Sequence, residues 1–153
     1  MEEVKAKQKD IKNFISAVGR RRESVARIRL YKSIPQGLVF GKLSVKKGDI
    51  VVNGKAAVDY FTIPAAKSIF EGPLNITNTI NKYAFTIRVR GGGISGQMGA
   101  TVLAMSRALS KLDPQNRALL KKKGLLERDA RTRQRRNVGM GGKSRRKKQS
   151  PKR

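Results

Sequence analysis

The chain has 153 residues, the length of one compact domain with extensions, and its 36 Lys/Arg against 10 Asp/Glu leave a formal net charge of +26. It contains no cysteine and no histidine. That excludes disulfides, Cys or His metal sites, and any mechanism built on a thiolate or an imidazole. A chain this basic repels itself, and the usual remedy is a polyanion: nucleic acid first, an anionic membrane second. No apolar run approaches the roughly 20 residues of a spanning helix. The acidic opening Met1-Glu2-Glu3-Val4-Lys5 has no apolar stretch behind it and does not read as a signal or transit peptide. A reducing cytoplasm fits a chain without cysteine.

In chain order, residues 1–13 alternate charges with little apolar periodicity and read as a mobile arm before a globular part at 14–127. Phe14 to Gly19 can form a strand. Ala26, Ile28 and Leu30 alternate with Arg27, Arg29 and Tyr31, the period-two pattern of a half-buried strand whose second set faces outward. Between them Gly19-Arg20-Arg21-Arg22-Glu23-Ser24 reads as a basic turn. Arg27 and Arg29 extend that basic surface, which favours a phosphate-facing edge over mere bulk charge. Residues 32–42, with Pro35, Gly37 and Gly41, read as a loop. Leu43 to Val45 and Asp49 to Val52 are short strand candidates, and Asn53-Gly54 is a hairpin signal because both residues tolerate positive φ. Ala57 to Phe61 fits one helical turn with Tyr60 and Phe61 inward. Thr62 can cap a second short helix through Phe70, with Pro64 in its first turn and Gly72-Pro73 as its stop. Residues 74–82, rich in Asn and Thr, show no assignable period.

The clearest strand follows, where Tyr83, Phe85, Ile87 and Val89 alternate with Ala84, Thr86, Arg88 and Arg90. It runs into Gly91-Gly92-Gly93-Ile94-Ser95-Gly96 and a helix from about Gln97 to Lys111. Met98, Val102, Met105, Leu109 and Leu112 form one buried stripe on that helix, with Arg107 and Lys111 on the opposite face. Asp113 caps the next helix, Pro114 takes its first position, and Lys121-Lys122-Lys123-Gly124 ends it. The pattern predicts an α+β fold, a mixed β-sheet with two or three helices packed on one face. The glycine loop matches the dinucleotide fingerprint letter for letter, but a second helix follows where that fold needs a strand. It also lacks the lysine and hydroxyl of a P-loop, since Gln97 and Met98 stand there. Two readings stay open: a helix start holding a backbone phosphate of RNA, or a purely structural tight turn.

Residues 128–153 carry twelve Lys/Arg against one acid, Asp129, with Val138 and Met140 as the only larger apolar side chains. Such a segment cannot offset its ordering entropy by burial and is expected to be a long, extended basic tail. Without an aromatic residue it is expected to contact phosphate rather than stack on bases. A solubility tail or a nuclear-import-like signal is the blander alternative. The nine acids outside the tail form no obvious catalytic pair, and the serines lack a plausible base. No enzyme, no cofactor, no metal and no small-molecule substrate is expected.

Three ordered blocks and the terminus resemble one family. Gly19-Arg20-Arg21-Arg22-Glu23-Ser24-Val25-Ala26-Arg27 is similar to the opening motif of the small-ribosomal-subunit protein nine family. Residues 89–100, Val89 to Ala100, then Ser106-Arg107-Ala108-Leu109, resemble its central signature. Arg128-Asp129-Ala130-Arg131 and Arg135-Arg136-Asn137-Val138-Gly139 resemble its third block, and Lys152-Arg153 its terminal pair. The resemblance implies a domain like the second domain of ribosomal protein five. It implies binding to the 3′ part of small-subunit RNA in the head, beside neighbouring head proteins, with no membrane involved. Arg20, Arg21, Arg22, Arg27, Arg88 and Arg90 would clamp RNA against the sheet edge, with Gly92, Gly93, Ser95, Gln97 and Arg107 contributing. In the tail, Arg128, Arg131, Arg133, Arg135, Arg136, Lys143, Arg145, Arg146, Lys147 and Lys148 would fill an RNA groove. The tip, Lys152 and Arg153, would reach the anticodon stem-loop of peptidyl-site transfer RNA. The runner-up reading is a free nucleic-acid-binding protein of chaperone or histone-like type.

Overall fold

A computed structural model describes residues 14–34, 37–41, 43–135 and 138. Its strands are β1 Phe14–Arg21, β2 Ser24–Tyr31, β3 Val39–Phe40, β4 Leu43–Ser44, β5 Ile50–Val52, β6 Lys55–Ala56 and β7 Ala84–Arg90. Its helices are α1 Ala57–Tyr60, α2 Ala66–Ile76, α3 Ile94–Leu112 and α4 Pro114–Lys122. Five strands form the main sheet, in the spatial order β1-β2-β7-β5-β6, while β3 and β4 form a separate two-stranded hairpin. All neighbours in the main sheet are antiparallel except β5 and β7, which are parallel, so the sheet is mixed.

The period-two pattern decides which face the helices cover. Ala17, Ala26, Ile28, Leu30, Phe85, Ile87 and Val89 are buried and pair across β1, β2 and β7 on one face. Against them pack Phe70 and Leu74 of α2 and Met98, Ala104, Met105 and Leu109 of α3, with Leu120 of α4. α3 lies directly on β1. Its buried Ala100, Ala104 and Ala108 fall at helical spacing, and β1 meets them with Gly19. A methyl group on Gly19 would collide with the Ala100 carbonyl oxygen and stand 2.6 Å from the Ala104 amide nitrogen. Small residues on both partners let the two backbones touch.

Several local expectations are corrected. The helix expected from Thr62 to Phe70 starts at Ala66 and continues through Gly72 and Pro73 to Ile76. Phe70, Pro73 and Leu74 are buried at spacings of three and one, on one face, and that burial outweighs the missing proline N–H. Gly72, lacking a Cβ, is the residue that crowds least against a following proline in helical conformation. α3 begins three residues earlier than its apolar stripe suggested. Arg107, half-buried, and Lys111, exposed, lie off the buried stripe as expected but are not free in solvent: Arg107 Nη1 donates to the Val18 carbonyl at 2.8 Å and Lys111 Nζ to the Ser16 carbonyl at 2.9 Å. They occupy carbonyls of the edge strand β1. Tyr31, expected outward, is buried, because Ile34, Leu38, Phe40 and Val45 pack over that end of the sheet in a second apolar cluster with Val51 and Ala84.

The capping signals are realised. Asn53 and Gly54 take φ of 50° and 81° between β5 and β6. The Asp113 side chain accepts from the Gln115 amide at 3.0 Å, and Pro114 opens α4. At its end Leu125 N–H donates to Leu120 O and Gly124 N–H to Lys121 O, with Gly124 at φ 70°, a Schellman stop.

Two outcomes follow. Gly19→Ala should destabilise the fold by about 1–3 kcal/mol, the usual cost of overpacking, whereas Lys67→Ala on the exposed side of α2 should stay within about 0.5 kcal/mol; denaturant unfolding of both reads the difference. The main core and the side chains packed on it lie between Ile15 and Leu126. A chain ending at Glu127 should therefore melt cooperatively in moderate salt, and a molten product would show that later residues complete the core.

Candidate nucleic-acid interface

The face of the sheet away from the helices follows from the same register. Across it β1 presents Ser16, Val18 and Arg20, β2 presents Val25, Arg27 and Arg29, and β7 presents Thr86, Arg88 and Arg90. Arg27 sits directly opposite Arg88, and Val25 lies between Arg20 and Arg90. Arg20, Arg27, Arg29, Arg88 and Arg90 are all exposed, and no acidic residue occupies a position on this face in these three strands. Like charges directly opposite each other destabilise a sheet, so this face gains from an anion laid across it.

Two clefts open here. One, of about 310 Å³, is lined by Arg20, Val25, Arg27, Arg88 and Arg90. The other, of about 420 Å³, lies between Phe14 and Phe40 and shares Arg27 and Arg88 with the first. The Arg29 guanidinium carbon sits 4.7 Å from the centroid of the Phe14 ring, and that of Arg88 5.7 Å from the Phe40 ring. Both are within cation–π range.

The residues expected to bind RNA thus divide. Arg20, Arg27, Arg88 and Arg90 share an open face rather than an edge. Arg29, read with Arg27 as part of the basic surface but not counted among the arginines expected to clamp RNA, belongs with them. Arg22 lies in the two-residue turn between β1 and β2, at φ 51°. Arg21 points to the helix side, close against Gly99, and its Nη2 lies 3.5 Å from Asp129 Oδ2. Asp129 also accepts from the Arg131 amide at 3.1 Å, Nε at 2.9 Å and Nη2 at 2.9 Å. The Arg131 guanidinium and amide, helped by Arg21, hold the Asp129 carboxyl well below the usual carboxylate range. Residues 128–135 have no regular structure, and Arg128, Arg131, Arg133 and Arg135 are exposed. Arg136, Lys143, Arg145, Arg146, Lys147, Lys148, Lys152 and Arg153 lie outside the described residues.

The glycine loop is built around the β1–β2 hairpin. Gly91 and Gly92 take φ of 74° and 62°. A methyl group on Gly91 would collide with the Glu23 carbonyl oxygen, one on Gly92 with Ser24 Oγ, and one on Gly96 would stand 2.8 Å from Ser24 Oγ. Ser24 Oγ donates to the Gly91 carbonyl at 3.0 Å. Gln97 is held at both ends of its amide, donating to Gly91 O at 3.1 Å and accepting from Tyr60 OH at 2.8 Å. Asn53 extends this network, donating to Tyr60 OH at 3.2 Å and Val89 O at 3.0 Å and accepting from the Val89 amide at 3.0 Å. Ser95 and Gly93 are exposed, and a methyl on Gly93 would meet nothing within 4 Å. Close packing therefore accounts for three of the glycines, and α4, not a strand, follows α3. Among the described residues no helix is long and apolar enough to cross a membrane.

Known proteins are similar to this chain in sequence. The family model described as ribosomal protein S9/S16 matches residues 19–153. The chain is 40% identical over 131 residues to the small ribosomal subunit protein uS9 of Maridesulfovibrio salexigens, covering 86% of this chain and 91% of that protein. The match begins at Gly19, where β1 meets α3, and takes in the arginine face, the glycine loop and the basic tail: the chain belongs to the ribosomal protein S9/S16 family.

Proposed function

We propose that this chain is a structural, non-enzymatic constituent of the small ribosomal subunit in the cytoplasm. It binds ribosomal RNA of the 3′ head domain, beside neighbouring head proteins, through the open arginine face and the tail. Five arginines on one acid-free sheet face carry this reading. The family match favours an assembled ribosomal role over a free nucleic-acid chaperone. The mechanism is charge neutralisation and positioning: arginine forks hold phosphates, and the folded domain fixes where the RNA strands lie relative to one another. Residues 14–127 act as the RNA-binding domain and 128–153 as an extension along RNA, whose tip, Lys152 and Arg153, contacts transfer RNA in the peptidyl site.

The face is tested by an Arg27→Ala, Arg88→Ala, Arg90→Ala variant. Every phosphate that is no longer neutralised lowers the slope of log K against log salt by about 0.7–0.9. Binding to small-subunit RNA should therefore show a slope shallower by about 2–3, with unchanged circular dichroism. An unaltered slope would refute the face as the RNA-binding surface. The tip is tested separately by removing only Lys152 and Arg153. A charge-assisted phosphate contact is worth roughly 1.5–3 kcal/mol, so subunits should assemble normally yet hold peptidyl-site transfer RNA about tenfold or more weakly. Equal affinity would refute the tip's role.

A further inference from the structure

Phosphate neutralisation explains the arginines on the open face but not the company two of them keep. Arg29 is held over Phe14 at 4.7 Å and Arg88 over Phe40 at 5.7 Å. A phosphate-binding arginine needs no aromatic ring beneath it. A ring under a guanidinium restrains it as a platform, and arginine planes and aromatic rings are the surfaces on which unpaired RNA bases stack. Both pairs line the same cleft of about 420 Å³, within the size range of small-ligand sites. The two rings come from different parts of the chain. Phe14 starts β1, whereas Phe40 is carried by the β3–β4 hairpin and packs against the second apolar cluster. The cleft also reaches Ser16, which is exposed, and it adjoins the smaller arginine cleft through Arg27 and Arg88.

We infer that the cleft between Phe14 and Phe40 is a nucleobase pocket that takes one unpaired RNA base, stacked on the Arg29 or Arg88 platform, while the adjoining Arg20–Arg27–Arg88–Arg90 cleft holds that nucleotide's phosphate. This deepens the proposed function and rests on it. The face would then read a bulged or looped nucleotide, not simply the backbone of a duplex. The tail has no aromatic residue of its own to hold an arginine in this way.

The test uses the full chain and a short RNA hairpin with one bulged uridine, compared with the same hairpin carrying an abasic bulge. Base stacking on a protein platform corresponds to about 5- to 150-fold in affinity. The wild type should prefer the bulged base by at least about fivefold, with the same salt slope on both RNAs. An Arg29→Lys, Arg88→Lys variant keeps the charge but loses the planes, so it should keep the slope and lose the preference. Ultraviolet cross-linking from a 5-bromouridine bulge should reach Phe14, Phe40 or their strand neighbours. Equal affinity for base and abasic RNA, an unchanged preference in the lysine variant, or cross-links confined to residues 128–153 would each overturn the pocket. None of these would touch the salt-slope test of the arginine face, so the pocket can fail while the proposed function stands.

Discussion

The contact of α3 with β1 through Gly19 is the constraint on which the remaining structure depends. With no side chain at that crossing, the alanines of α3 lie on the strand itself, and the longest helix covers the β1–β2 side of the sheet. A glycine costs conformational entropy in a strand, and here the cost is offset by the apolar burial the close approach permits. The same use of missing side chains recurs at the glycine loop. There Gly91, Gly92 and Gly96 leave room for the β1–β2 turn, and Ser24 ties the two together. Helix, hairpin and β7 are thereby locked into one body, and Arg107 and Lys111 close the exposed edge of β1.

Fixing all helices on one side has an electrostatic consequence. Every second residue of β1, β2 and β7 is used for the core, and the alternate residues are left on the other face, where arginine predominates away from the covered end. Rigid strands hold the backbones of those arginines at strand spacing, so repulsion between them is relieved only by the side chains swinging apart or by an anion between them. The neighbourhood of Asp129 is the opposite case. There one carboxylate gathers Arg21 and Arg131 at the point where the chain leaves the domain. Exposed pairs of this kind contribute little stability, so their effect is on the local path of the chain rather than on the fold.

Much of this was legible in the sequence because it depends on local chemistry. Period-two alternation identified β2 and β7, Asn53-Gly54 marked its hairpin, and Asp113-Pro114 and Gly124 bounded α4. What was missed depends on tertiary packing. Gly72-Pro73 is a strong stop signal by itself, and only burial of Phe70, Pro73 and Leu74 carries the helix past it. The partners of Arg107 and Lys111 are backbone carbonyls of a strand some ninety residues earlier, which no pattern in α3 can announce. Tyr31 looked outward because the segment covering it has almost no periodicity of its own. At the interface, the basic residues were evident, but whether they met an edge or a face depended on the side taken by α3. In the dinucleotide-like spelling of the glycine loop, Gly91 and Gly96 answer to close packing, whereas Gly93 meets nothing.

The central claim is that the open face, with Arg27, Arg29, Arg88 and Arg90, lies against RNA. Arginine-selective modification with phenylglyoxal, read residue by residue by mass spectrometry, tests it directly in the free protein and in intact small subunits. These four arginines should react readily in the free protein and be strongly protected in the subunit, with protection lost when the RNA is digested. Equal reactivity in both states would contradict the account.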